Sequence, residues 1–306
     1  DAAVEVHELG HELLARFLPQ VERRPIDGDD AGHVGALQPV EARGRIAHQR
    51  GGHAGVKAAV GDEAAAGARD LWGLAPPSET FESLTATAEA AITAATLLAR
   101  RQVEQEYGAL LLASGRANRF AVLGFGKLGA RELNYSSDVD LVFVHESDED
   151  ASSGGTRGTL TPPGFFTRVA ERTTKLLSEI TADGFVFRVD LRLRPDGMNG
   201  PITSSIGGTL HYYEALGQTW ERAALFKARP VGGDHDLGDQ LLGELAPFIH
   251  RRTLDYTMIA DLESMKARVE EQERVKGRDE RNVKLGAGGI REVEFLVQSF
   301  AMVHGG

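Results

Sequence analysis

The chain has 306 residues, 42 % of them hydrophobic and 26 % charged, with a formal net charge of −11 and no cysteine. That length and composition suit one large or two ordinary soluble globular domains, while the acidic balance argues against a nucleic-acid partner, which needs a basic face to displace counterions. Disulfides and thiolate chemistry are excluded, which fits a cytoplasmic protein; no apolar run approaches the roughly 18 residues of a membrane span, and the N-terminus has no basic-then-apolar signal pattern.

Residues 1–66 read as a poorly patterned N-terminal segment, partly loop-like. Leu9, Leu13, Leu14 and Phe17 are at helical spacing, but residues 19–66 hold no aromatic residue and a single Leu, so they bury little. Residues 67–250 read as a catalytic α/β domain. Pro76 and Pro77 break the chain, and Ser78 or Thr80 is expected to cap the long helix that follows, whose Leu84, Ala88, Ala91, Ala95 and Leu98 make an apolar stripe. "FAVLGFGKLGARELNYSSDVDLVFVH" from Phe120 reads strand, glycine turn, short helix, strand. Residues 147–163 form an acidic Gly/Ser/Pro-rich loop. An amphipathic helix over 165–181 is expected to stop at Gly184. "FVFRVDLRLRP" (185–195) alternates strictly and reads as a strand with one apolar and one polar face. A helical segment near 207–216 precedes "GQTWERAALFKARPVGGD". Residues 251–306 read as the start of a helical domain that looks cut from something longer.

The chemistry begins at "SSDVDLVFV". Residues i and i+2 of a strand share a face, so Asp138 and Asp140 point together, opposite Val139, Leu141 and Phe143. Two like charges at that spacing repel unless a cation joins them, and hard oxygen ligands suit Mg²⁺ or Mn²⁺. A lone Asp-x-Asp is equally a solvated strand end. Two neighbours change the balance. Upstream, "GFGKLG" offers backbone N–H groups and Lys127 to a phosphate. Downstream, the polar face of 185–195 carries Arg188, Asp190, Arg192 and Arg194, with Asp190 as a third metal ligand and the arginines on anionic groups. Three carboxylates on two adjacent strands beside a phosphate-cradling turn equip a site for two-metal phosphoryl or nucleotidyl transfer.

"GFGKLGARELNYSSDVDLVF", "FRVDLRLRPDGMNGPI", "YYEALGQTWERAALFKARPVGGD" and "NVKLGAGGIREVEFLVQ" together resemble the bacterial glutamine synthetase adenylyltransferase/adenylyl-removing family, within the DNA-polymerase-β-type nucleotidyltransferase superfamily, from about Ala68 to the C-terminus. The resemblance implies an α/β (α+β) fold: a twisted mixed sheet with helices, flanked by helical segments. "ELNYSSD" and Arg291-Glu292 are similar to the adenylyl-removing half. The implied reaction is phosphorolysis of the tyrosyl-AMP of adenylylated glutamine synthetase, yielding ADP, in control of nitrogen assimilation by a PII-type signalling protein. ATP-dependent attachment of AMP is the alternative. Asp138, Asp140 and Asp190 would hold two Mg²⁺ or Mn²⁺ ions. Gly126, Lys127, Ser136 and Ser137 would lie on phosphate, and Arg192, Arg194, Lys227 and Arg229 would contact anions. Glu221 and Arg222 read equally as a structural ion pair, and Trp220, Ala224 and Leu225 as helix core.

Two rivals stand beside this reading. His7-Glu8-Leu9-Gly10-His11 is an HExxH pattern that, on a helix, would place two zinc ligands on one face as in a metallopeptidase, although no third ligand is evident. A pseudo-transferase acting as a docking module is disfavoured by the presence of all three carboxylates.

Overall fold

The computed structural model describes residues 64–180 and 184–250, together with 290, 293, 294 and 297. The expected helix over 1–18, the HExxH pattern, residues 19–63 and nearly all of 251–306 lie outside the described residues.

A helical stretch at 64–71 leads to α1 (Pro77–Tyr107). Its small-residue stripe, with Leu84, Ala88, Ala91 and Ala95 joined by Ile92, Ala99 and Val103, is buried, whereas Leu98 is half-buried. Neither Ser78 nor Thr80 caps it: Pro76 is the N-cap and Pro77 the first residue, with no side-chain cap. Proline has φ preset for a helix start and no N–H to satisfy there, which removes one of the unpaired donors that a capping side chain would serve. Gly108 ends the helix at φ +80°, where a Cβ would stand 2.3 Å from the Gly154 carbonyl oxygen.

Five strands follow among the described residues: β1 (Phe120–Gly124), β2 (Val139–His145), β3 (Val189–Asp190), β4 (Thr203–Ser205) and β5 (Arg229–Gly233). Interspersed are the helices α2 (Gly126–Gly129), α3 (Pro162–Ser178), α4 (Ile206–Leu216), α5 (Thr219–Leu225) and α6 (His235–Ile249). The sheet order is β3-β2-β1-β5. β1 is antiparallel to β2 and β5, while β3 and β4 both run parallel to β2, at its start and its end. This is the mixed open sheet with helices expected from the sequence.

Strand alternation sorts the core. Phe120, Val122, Val139, Leu141 and Phe143 join one apolar cluster with α1 and α3, including Phe165 and Phe166. Ala121, Leu123, Val142 and Val144 join a second with α4, α5 and α6, including Tyr213, Leu225, Leu237 and Leu241. β4 is held to β2 by a buried polar chain as well. His145 meets Thr203 Oγ1 at 3.1 Å and Asp148 Oδ1 at 2.7 Å, and burial, only partly opposed by Asp148, pushes the imidazole pKa down.

Two expectations are corrected. The helix expected over 165–181 begins at Pro162 and ends at Ser178, capped by Glu179, so Gly184 is not its stop. The strand expected over 185–195 is only Val189–Asp190. Past Asp190 the chain turns repeatedly, with the Gly197 N–H on the Arg194 carbonyl at 2.8 Å and Asp196 and Gly197 at positive φ. Pro195 has no N–H to give a ladder, and the rest of this edge of β2 is taken by β4.

Candidate active site

Asp140 and Asp190 are register partners across the parallel β2–β3 pair. Asp138 lies two residues before Asp140, so the pleat carries it to the same face, away from the α1/α3 cluster. The glycine turn is stitched to this strand: the Phe125 N–H donates to the Asp140 carbonyl at 2.9 Å. Gly126 follows at φ +55°, and a Cβ there would stand 2.6 Å from Asp140 Oδ2. Both the left-handed backbone and the close approach of the carboxylate require glycine at this point.

Arginines serve as the counter-ions of the acids. Arg188, half exposed, donates from Nε to Asp138 Oδ1 and from Nη2 to the Ser136 carbonyl. Arg192 grips Asp190 with its backbone N–H at 2.8 Å and with Nε at 2.8 and 3.0 Å. Hydrogen bonding to Arg192, against a smaller opposing effect of burial, holds the Asp190 carboxyl below its usual range. The Arg192 guanidinium is raised in turn, first by its hydrogen bond to Asp190 and, from farther off, by Asp140 and Asp138. One cationic group thus lies in the field of all three carboxylates. No three acidic or histidine side chains among the described residues form a ready metal cage by themselves. Their chemistry does fit a hard cation: oxygen donors on one sheet face, gathered about a positive charge.

The loop before β2 collects the remaining polar groups. Lys127 Nζ donates to Asn134 Oδ1 at 3.1 Å, and Ser137 Oγ donates to the same oxygen. Ser136 sits at φ +57°, its carbonyl turned to Arg188. Lys227 Nζ lies 3.6 Å from Glu132 Oε2, at the start of this loop.

Two expected anion contacts are structural ties. Arg194 is buried and donates to the carbonyls of Leu191 (2.8 Å), Gly200 (3.1 Å) and Met198 (3.2 Å), closing the 191–200 turns. It does not share a strand face with Arg192, because the strand has ended. Arg229 donates to the Gly129 and Leu128 carbonyls, both at 3.0 Å, and to the Glu89 carboxylate, tying α2 to α1. Glu221 and Arg222 are both buried. Glu221 accepts from the Tyr212 hydroxyl and the Gln218 N–H, each at 2.9 Å, and burial raises its pKa. Arg222 donates to the Ile249 carbonyl at 2.8 Å. Leu225 is buried as expected, but Trp220 is 39 % exposed rather than core. Sequence reasoning gave Asn134 no role and set Arg188 among the arginines expected on anionic groups, not on Asp138. Alternation placed Arg188 on the polar face, but its grip on Asp138 spans fifty residues of chain and has no local signal.

Residues 62–244 match the family model described as glutamate-ammonia ligase adenylyltransferase. The chain belongs to that family. A second model, described as GlnD PII-uridylyltransferase, matches residues 263–306. Among curated relatives, a bifunctional glutamine synthetase adenylyltransferase/adenylyl-removing enzyme of Pseudomonas aeruginosa is 48 % identical over 239 residues, 78 % of this chain and 24 % of the relative. The protein of that description from Nitrosococcus oceani is 45 % identical over 242 residues, again 78 % and 24 %. The one from Shewanella oneidensis is 38 % identical over 294 residues, 96 % of this chain and 30 % of the relative. A match of that length extends into residues 1–66, which the sequence reading had set apart from the family. The chain spans about a quarter of the length of the relatives it matches. Within the adenylyltransferase family frame, the glycine turn, the paired aspartates and Asp190 all fall inside the matched segment.

Proposed function

We propose that this chain is a nucleotidyltransferase unit that removes AMP from the adenylylated tyrosine of glutamine synthetase by phosphorolysis. The observation that carries the reading is the register pairing of Asp140 with Asp190, beside Asp138 and the Gly126 turn, in a chain whose relatives carry the adenylyl-removing description. In this reading a phosphate oxygen attacks the phosphorus of the tyrosyl-AMP ester. The phosphorus–phenol oxygen bond breaks, its electron pair leaves on the phenolate, and ADP is the second product. Phosphate is already deprotonated near pH 7, and a phenol with a pKa of about 10 is a serviceable leaving group, so no strong general base is demanded.

The work of the residues is then positioning and charge neutralisation. Asp138, Asp140 and Asp190 would hold Mg²⁺ or Mn²⁺, which when bound offsets negative charge on phosphate oxygens. Gly126 gives room beside Asp140. Lys127, Ser136 and Ser137 contact phosphate, Arg192 and Lys227 contribute positive charge, and Asn134 orients Lys127 and Ser137. Arg194 and Arg229 act through the backbone they hold. The direction, removal rather than attachment, rests on the "ELNYSSD" wording, and regulation by a PII-type protein in the cytoplasm is part of the same proposal.

Incubation with adenylylated or unmodified glutamine synthetase, supplying phosphate or ATP, tests both directions. ADP release from the adenylylated form with phosphate is expected. Pyrophosphate release from ATP with the unmodified form would establish attachment instead.

A further inference from the structure

Between α1, the 133–137 loop and residues 185–188 the surface opens into a cleft of about 290 Å³. Its floor is apolar, made by Leu84, Leu133 and Phe187, all buried, and Phe185 stands at its rim with 44 % exposure. Ser136, Ser137 and Arg188 line it as well. Among the described residues Arg188 is the only charged one lining the cleft, and it is the residue that grips Asp138. Cleft and carboxylates therefore share one guanidinium. The volume is at the small end of ligand sites, roughly 300–1,000 Å³: room for one ring system, not for a whole nucleotide. Polar groups are sparse. Thr87 Oγ1 donates to the Ser83 carbonyl, which leaves its lone pairs as acceptors, and the Asn134 carbonyl oxygen is taken by Lys127 and Ser137, which leaves its amide hydrogens as donors.

We propose that this cleft is a subsite for a planar aromatic ring borne next to a phosphate, the ring lying on Leu84, Leu133 and Phe187 and the phosphate reaching Arg188 and the two serines. A guanidinium fork suits a phosphate oxygen pair as well as it suits the carboxylate it now holds. The inference rests on the function proposed above, in which two groups fit that description: the adenine side of the adenylyl group and the phenol of the modified tyrosine.

Calorimetric titration of the full chain with AMP, ribose 5-phosphate and phenyl phosphate separates them. Two variants are compared with the wild type: Thr87→Phe, which fills the cleft, and Phe185→Ala, which strips an exposed rim residue with little risk to folding. If the ring is adenine, AMP binds the wild type about tenfold tighter than ribose 5-phosphate, both variants close that gap, and phenyl phosphate is unaffected. If the ring is the phenol, phenyl phosphate weakens about tenfold in the variants and AMP does not. The subsite is overturned if both ring ligands bind the variants as they bind the wild type, or if neither binds the wild type. ADP release from adenylylated glutamine synthetase, assayed alongside, reads the catalytic proposal separately: its presence with ring-independent binding removes the subsite alone, and its absence removes the reaction.

Discussion

Asp140 and Asp190 face each other as direct partners in the two-residue parallel pairing of β2 with β3. So short a pairing, with carboxylates opposed, gives the sheet little and costs repulsion. Asp140→Asn is expected to lower ADP release by about a thousandfold or more, while the thermal midpoint holds or rises because one of three like charges is gone. Single-turnover assays with thermal unfolding check this. A falling midpoint with surviving activity would make Asp140 a structural residue.

Gly126 is the point where backbone and carboxylate come closest. Gly126→Ala meets both a φ of +55° and a 2.6 Å contact with Asp140 Oδ2, and is expected to cost about 1–3 kcal/mol along with most of the activity. Gly243 in α6 is the control, since a Cβ there meets nothing within 4 Å. Gly243→Ala is expected to add about 0.5–1 kcal/mol. Urea unfolding of the two variants gives the comparison.

Arg192 and Arg194 look alike in the sequence and part ways in the fold. Arg194→Ala strips the donors from three carbonyls around a buried group and is expected to cost about 2–4 kcal/mol. Arg192 is largely exposed, so Arg192→Ala is expected to change stability by no more than about 0.5 kcal/mol while reducing activity. Chemical denaturation paired with the ADP assay distinguishes the two roles. Equal stability losses would contradict the assignment.

Glu146 supplies a pH test away from the site. Hydrogen bonds from Arg116, opposed by burial and reinforced by Arg119, lower its carboxyl from the usual 4.5 to about 2. The unfolded chain therefore binds the proton more readily than the fold does. The stabilisation is complete above about pH 4.5 and is lost as pH falls through about 2. Glu146→Gln is expected to cost about 1–2 kcal/mol at pH 7, with the difference from wild type shrinking steadily below pH 4.5. A difference independent of pH would show that the charge is not what the arginines hold.

Much of this molecule is legible residue by residue. Alternation in "DVDLVFVH" assigned Asp138 and Asp140 to the face opposite Val139, Leu141 and Phe143, and those apolar residues do share one core cluster. The glycine turn, the strands on either side of it and the small-residue stripe of α1 followed from local pattern as well. Alternation also misled. "FVFRVDLRLRP" has the period of a strand from Phe187 to Arg194, yet only two residues pair, because a strand needs an edge to bind and β4 occupies the rest of this one.

Local pattern by itself determined the α/β texture, the run of strand, glycine turn, helix, strand and helix from Phe120 to Ser178, and the presence of three carboxylates at two strands, while the mixed sheet came from the family resemblance and β4 and β5 went unread. Tertiary structure alone decided which cations Asp138 and Asp190 meet, Arg188 on the first and Arg192 on the second, with Arg194 and Arg229 diverted to backbone carbonyls. The reason is physical. Period reports which face a side chain takes, a property of neighbouring residues. The partner it finds there depends on which carbonyls and carboxylates distant segments bring within reach once they pack, and a guanidinium with five donors goes where several acceptors gather.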